Sequence, residues 1–308
     1  MTTPLRPMST GEILDRTFNL YRSNFVLFAG IAVLPPALML VVQLIQAGMV
    51  TTPGNPRTAN AGLLAAGVLG MIVGWIAYLV GMAVAHAATV FAVSAVHLGR
   101  TTTIGESYGR VKGRYGRVVW VLVQTALRAF WPLILIIIIA SVMVGAAGGK
   151  GAGAALAGGL MGLGILAGGI VGLVLYLRYA LAVPACVLED IQASAAIKRS
   201  VTLSAGSRGQ IFVIYFLMGV INIIVTWVFL LPATWLAVLL AKGSPSIRVL
   251  FAGLATFIAG ALAGPIATIA LSLVYFDQRV RKEAFDLQLM MAAVDGTPLP
   301  GAQAAGAG

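Results

Sequence analysis

Charge is scarce in this chain, and side chains suited to chemistry are scarcer still. The 308 positions hold nine Asp and Glu residues, two histidines and one cysteine. A lone cysteine, Cys186, excludes an internal disulfide and a thiolate metal cluster, and it reads as a small apolar packing residue. A metal site needs three or four converging ligands. His86 and His97 are eleven apart on one apolar stretch, with no carboxylate between them, and do not assemble one. His97 reads as an interfacial residue and His86 as a helix-packing one. No G-x-S-x-G elbow, P-loop or H-E-x-x-H is present. All nine carboxylates (Glu12, Asp15, Glu106, Glu189, Asp190, Asp277, Glu283, Asp286 and Asp295) fall in polar segments, none inside an apolar run. No cofactor and no metal is expected from this inventory.

What the chain has instead is apolar length. It is 60% hydrophobic and 9% charged, with a mean hydropathy of +0.99, far from soluble domains. About 20 apolar residues cross a bilayer as a helix. Six runs qualify: 25–47, 62–96, 118–147, 154–186, 210–241 and 249–276. The first contains Pro35-Pro36, follows a charged segment and shows no small-x-small cleavage site, so it reads as a retained span rather than a signal peptide. The polar breaks alternate in character. Those at 51–60, 148–153 and 242–247 are short and rich in Gly, Pro or Ser, whereas the others are long and charged.

A pI near 10.3 would suit a nucleic-acid binder, but the basic residues gather in loops between apolar runs, which is a topology signal. Fourteen of the 20 Lys and Arg residues flank the charged segments and four the opposite loops. The positive-inside rule then places both termini in the cytoplasm, and no nucleic acid among the partners.

The charged segments look alike. Ser9, Gly11, Glu12 and Arg16 are echoed ninety-four residues later by Thr103, Gly105, Glu106 and Arg110. Ser9 with Glu12, and Thr103 with Glu106, have capping-box spacing, and Met8 with Ile13 supplies a hydrophobic staple. Leu14, Phe18, Tyr21 and Phe25 form an apolar stripe opposite Glu12, Asp15, Arg16, Asn19 and Arg22, with Glu12 and Arg16 ordered for an i,i+4 pair. Tyr108, Val111, Tyr115 and Val119 form the second stripe. A weaker third copy, with Arg199-Ser200, has Ala195 in place of the acid, leaving Asp190 to cap it. Such helices can lie among lipid headgroups or pack on the ends of the bundle. Residues 1–291 thus read as one membrane domain of three pseudo-repeats, 9–100, 103–190 and 191–291. The tail 292–308 reads as disordered. The expected fold is an all-α integral membrane bundle: six transmembrane helices in three pairs, each pair preceded by a cytoplasmic amphipathic helix. Small residues at Gly70 and Gly74, and at Gly164, Gly168 and Gly172, suit close helix packing in lipid.

One charge falls well inside a run. Arg128 is ten positions past Val118, roughly mid-bilayer at about 1.5 Å per residue. Pro132 frees the carbonyl of residue 128, and Gln124 or Asn222 could solvate the guanidinium. An intramembrane Arg is a functional candidate; the alternative is that the span begins near Phe130 and Arg128 lies in the headgroups. Arg178, near the end of the fourth run, snorkels.

The opening RPMSTGEILDRTFNLYRSNF, the segment with Arg178, Pro184, Glu189, Arg199-Ser200 and Leu203, and the ending YFDQRVRKEAFDLQLM resemble bacterial proteins of the glycerophosphoryl diester phosphodiesterase membrane-domain family. In the ending, Tyr275, Asp277, Arg279, Arg281, Lys282, Glu283, Phe285, Asp286 and Leu287 carry the likeness. The resemblance implies a multi-helix module resident in a bacterial inner membrane. It does not imply hydrolysis, because the soluble catalytic domain attached in some relatives has no counterpart in this sequence. Three functions stay open. One is a non-catalytic module that organises or regulates partners at the cytoplasmic face, touching anionic headgroups and a membrane or cytoplasmic protein. The second is a transporter or channel for an anionic solute or lipid using Arg128, and the third a lipid phosphodiester enzyme. The sequence sets no oligomeric state.

Overall fold

The structure, a computed structural model, describes residues 7–50, 61–146, 151–241, 244–284 and 291. Asp286, the loop 51–60 and the tail 292–308 lie outside the described residues. Among those described, eleven helices and no strand are found: α1 (Thr10–Ser23), α2 (Phe25–Ala32), α3 (Leu34–Val50), α4 (Ala61–His97), α5 (Ile104–Val111), α6 (Tyr115–Ala146), α7 (Gly151–Tyr179), α8 (Ala182–Leu188), α9 (Ala193–Ser204), α10 (Arg208–Ala241) and α11 (Pro245–Glu283). Six stretches are long and apolar enough to span a membrane, the first formed by α2 and α3 together. The chain is a multi-pass, all-α membrane protein.

The other helices gather on α11. In its most apolar stretch 61% of residues are buried, against 11% to 22% in the other five spans. Small residues explain the difference. A side chain at Gly253 would strike Gln43 and Leu40, and one at Gly260 would press on Pro36, so α3 approaches the α11 backbone directly. In lipid such close packing, rather than hydrophobicity, drives association. Gly74 stands against Val42 where α3 meets α4, and Gly164, Gly168 and Gly172 stand against Ile136, Leu133 and Phe130 where α7 runs along α6. Gly70 faces open space.

Two apolar runs are broken by proline. Pro35 and Pro36 lack the N–H groups that would continue α2 into α3, and the chain turns at Val33. The run expected as one span over 154–186 is likewise divided: α7 stops at Tyr179 and α8 starts at Ala182. Pro184 is the cause, since its ring and missing N–H disrupt the bond to residue 180, four positions back.

The short helices α1, α5, α8 and α9 all lie where α4, α7 and α11 end, forming what is called here the frame end. α1 packs against α11, α5 against α4 and α2, and α9 against α6, α7, α8 and α11. The capping box at Ser9 and Glu12 is complete, each accepting the other's backbone N–H. Thr103 accepts from the Glu106 N–H. α9 has no side-chain cap at all, so the expected Asp190 cap is absent; that carboxylate faces α6 instead. The α1 stripe also differs from expectation. Ile13, Thr17 and Leu20 are buried, while Phe18 and Phe25 are 41% and 44% exposed. Thr17 can face the interior because its hydroxyl donates to the Ile13 carbonyl at 2.7 Å. Tyr115 and Val119 belong to α6, separated from α5 by Gly113, whose φ of +86° a side chain would resist.

Candidate functional site

Two polar regions stand out, one at the frame end and one within the spans. At the frame end, the short helices supply donors to carbonyls exposed where long helices break. The Tyr108 hydroxyl of α5 donates to the Ile31 carbonyl at 2.6 Å, the group whose helical donor would have been the nitrogen of Pro35. The Tyr21 hydroxyl of α1 donates to the Leu262 carbonyl at 2.6 Å, beside the carbonyl that Pro265 leaves unpaired. The Ser200 hydroxyl of α9 donates to the Arg178 carbonyl at 2.9 Å and accepts from the Leu181 N–H at 3.1 Å, bridging the gap between α7 and α8. Burial raises the Tyr21 pKa, and burial with the neighbouring Tyr115 phenol pushes Tyr108 up to about 12. Both remain donors at neutral pH.

Ion pairs hold the same end together. Asp277, 1% exposed, accepts from the Met8 N–H at 2.7 Å and from Arg281 at 2.8 Å. Arg281 in turn donates to the Met8 carbonyl at 2.6 Å, so the two side chains grip one residue by both its backbone groups. Glu189, just past α8, accepts from Tyr275 at 2.6 Å and from Arg199 at 2.9 Å. Arg199 also reaches Glu283 at 2.5 Å, and Glu283 pairs with Arg279 at 3.2 Å. Burial alone would lower the Arg199 pKa; hydrogen bonds and charge from Glu189 and Glu283 outweigh it and hold the group above its ordinary value. Asp190 joins Arg114 at 3.1 Å and Arg117 at 2.7 Å, tying the α8–α9 turn to α6. Lys282 donates to the carbonyls of Thr202, Leu203 and Ala205, which closes the end of α9. Lysine there suits the negative end of the helix dipole.

The remaining motif residues are less engaged. Glu106 and Arg110 form an exposed pair at 3.8 Å, with the Arg110 guanidinium 5.7 Å from the Phe91 ring centre. Asp15 and Arg22 are exposed, and Glu12, Arg16 and Arg178 are half-buried. His97 stacks on Phe276 at 5.1 Å, and neither ring nitrogen has a hydrogen-bond partner. Among the described residues no three His, Cys, Asp or Glu side chains converge as metal ligands would.

Arg128 lies inside the third apolar span, Tyr115–Ala146. Its side chain is exposed, at the edge of the buried stripe Val118, Val121, Thr125 and Ala129 of α6. Gly172 packs against the Ala129 carbonyl and Phe130, and α7 ends seven residues later. On the α7 side Arg128 is about 10 Å from the end of the neighbouring helix. α6 begins at Tyr115, beside Arg114 and Arg117 of the ionic frame, about 20 Å from Arg128. Gln124 is half-buried with an unpartnered Oε1, and Asn222 lies elsewhere, on α10.

Asn222 belongs to the second region, a cavity of about 380 Å³ between α3, α4, α10 and α11. Gln43, Tyr78, His86, Asn222, Thr226 and Thr268 line it, and among the described residues no Asp, Glu, Lys or Arg and no residue of α6 does. Among the described residues these six side chains have no hydrogen bond within the protein. Thr89 and Thr256 bond back to their own helices. Thr268 is buried, Gln43, Tyr78, His86 and Thr226 are half-buried and Asn222 is exposed, so their polar groups are open to whatever occupies the cavity, and one cut off from any partner would cost roughly 2–7 kcal/mol. His86, read from the sequence as a packing histidine, is a wall residue of this cavity. Periodicity could not reveal that, since four helices separated in sequence contribute to the wall.

Comparison with protein-family models, curated proteins and solved structures finds no significant match for this chain.

Proposed function

We propose that this protein is a non-catalytic multi-pass module whose frame end lies at the cytoplasmic face of a bacterial inner membrane and organises partners there. The single observation behind this reading is the use made of the carboxylates. Glu189, Asp190 and Glu283 are tied to arginines from other parts of the chain, and Asp277 to Arg281 of its own helix and the Met8 N–H, so among the described residues these four acids serve the frame rather than a substrate. Around that neutralised frame, Arg22, Arg100, Lys112, Lys198 and Arg208 are exposed. Each such residue near an anionic surface contributes about 1 kcal/mol of attraction. The charge asymmetry between loops supports the orientation, and the likeness of the opening and closing segments to glycerophosphoryl diester phosphodiesterase membrane-domain proteins agrees with a multi-helix membrane module.

The test uses the full chain in nanodiscs of phosphatidylcholine with phosphatidylglycerol. Native mass spectrometry is expected to find phosphatidylglycerol enriched on the wild type and that enrichment lost when the five exposed basic residues become Gln. Supplied with glycerophosphodiesters and Mg²⁺, Ca²⁺, Mn²⁺ or Zn²⁺, the protein is expected to turn over none of them. Turnover abolished by Glu189→Gln or Glu283→Gln would overturn the reading.

A further inference from the structure

The intramembrane cavity stands on different residues from the frame and calls for an occupant of its own. Every residue lining it belongs to one of four spans. Ile31, Val93, Ile269 and Leu273, which follow its lining residues toward the frame end, are all fully buried. Along α4 it runs from Tyr78 to Thr89, about 16 Å. Among the described residues no packed seam joins α4 to α10, although both contribute to the wall. The pocket thus has a side facing the lipid.

Its chemistry narrows the ligand. No charged side chain is present to offset a phosphate, carboxylate or ammonium group, and an ion without a partner at this depth would be strongly disfavoured. Gln43 and Asn222 each offer a carbonyl acceptor and an amide donor, Tyr78 and Thr226 hydroxyls that do both, and an uncharged imidazole such as that of His86 would offer one of each. Groups that donate and accept together match hydroxyls. Met39, Met82 and Phe257 on the same wall suit an apolar flank, the methionines adapting to its shape. A volume of about 380 Å³ falls in the range of small-ligand pockets.

We propose that this cavity binds an uncharged polyol group, either the hydroxylated head of a neutral lipid entering between α4 and α10 or a free polyol from water. The experiment equilibrates the full chain, in phosphatidylcholine nanodiscs, with monooleoylglycerol, a dialkyl glucoside, free glucose, free glycerol or phosphatidic acid, and measures retention by native mass spectrometry. One neutral hydroxylated lipid per protein is expected, with retention weakened about tenfold by Asn222→Leu and by His86→Leu. Thr226→Phe, which narrows the cavity without touching the frame, is expected to exclude it. Retention of glucose or glycerol alone, with the same sensitivity to these variants, assigns the site to a solute and keeps the proposal. It is overturned if phosphatidic acid competes as well as the neutral lipids, if none of the uncharged probes is retained, or if folded Thr226→Phe and Asn222→Leu proteins bind as the wild type does.

Discussion

The frame end and the cavity are built from the same kinds of polar atom, yet they differ in what those atoms meet. At the frame end the Asp277 carboxylate has three donors, from Met8, Arg281 and Gln278, and Ser200 both gives and receives. In the cavity, Asn222, His86 and Gln43 face open volume with no protein partner. A satisfied network in a low-dielectric setting rigidifies the structure, whereas unsatisfied groups burden it. The first region is therefore where stability is concentrated, and the second is where a ligand has something to add. Substitutions should separate the two: frame variants lose stability, and cavity variants keep it.

The largest loss is expected at Asp277. Asp277→Ala strands the Arg281 guanidinium and the Met8 N–H at a site 1% exposed. Removing one partner of a buried pair costs about 3–5 kcal/mol; with the Arg281 side chain 42% exposed, roughly 3 kcal/mol is the better figure. Reversible unfolding of the detergent-solubilised protein in SDS would measure it. A loss below about 1 kcal/mol, the level of an ordinary neutral hydrogen bond, would mean the grip on Met8 is not a stability element and would erase half of the contrast.

A smaller effect is expected at the helix breaks. Ser200→Ala strands the buried Leu181 N–H, while the Arg178 carbonyl keeps the Ser204 hydroxyl at 3.2 Å, a loss of about 1–3 kcal/mol for one stranded buried group. Tyr108→Phe removes one donor from the Ile31 carbonyl and should cost about 1 kcal/mol. The same SDS titration ranks the two. If Tyr108→Phe proved the more damaging, its packing against the core would matter more than its hydroxyl, and the plugging of proline breaks by the short helices would not explain why they sit where they do.

Much of this was readable along the chain, and the reason differs from feature to feature. The spans and the Ser9–Glu12 cap are local patterns, so hydropathy and spacing reveal them. Pro35, Pro184 and Pro265 also announce freed carbonyls locally. What could not be read was which residue would supply the donor. Tyr21 and Tyr108 counted as members of apolar stripes, and their hydroxyls reach carbonyls 241 and 77 positions away in sequence. Glu189, Arg199, Asp277, Arg281 and Glu283 were marked as a motif, but the pairing of Glu189 with Tyr275 or of Arg199 with Glu283 depends on the fold. Phe18 illustrates a limit of periodicity: Thr17 is buried beside it because a hydroxyl bonded within its own helix behaves as a small packing group. Arg128 drew attention as a charge in an apolar run, while Asn222 and His86, uncharged and isolated in sequence, gave no sign that they share a wall.

The smallest expected stability change is the one that tests the other half of the contrast. Asn222→Leu and His86→Leu replace groups that have no hydrogen bond in the protein, so no partner is stranded by the change. In a span, an amide or imidazole facing an apolar surround is unfavourable, and leucine is favoured at the centre of a membrane helix. Against this stands the loss of whatever hydration the cavity holds, which is modest because water bridges are weakly ordered in many sites. The balance is a change within about 0.5 kcal/mol, neutral or stabilising in the ligand-free protein. Unfolding in SDS after removal of copurified lipid is the measurement. A loss of 2 kcal/mol or more for Asn222→Leu, on the order of a broken buried hydrogen bond to a stranded partner, would mean that this side chain belongs to the structural network. The cavity would then be a packing defect bridged by water and not a place prepared for a ligand.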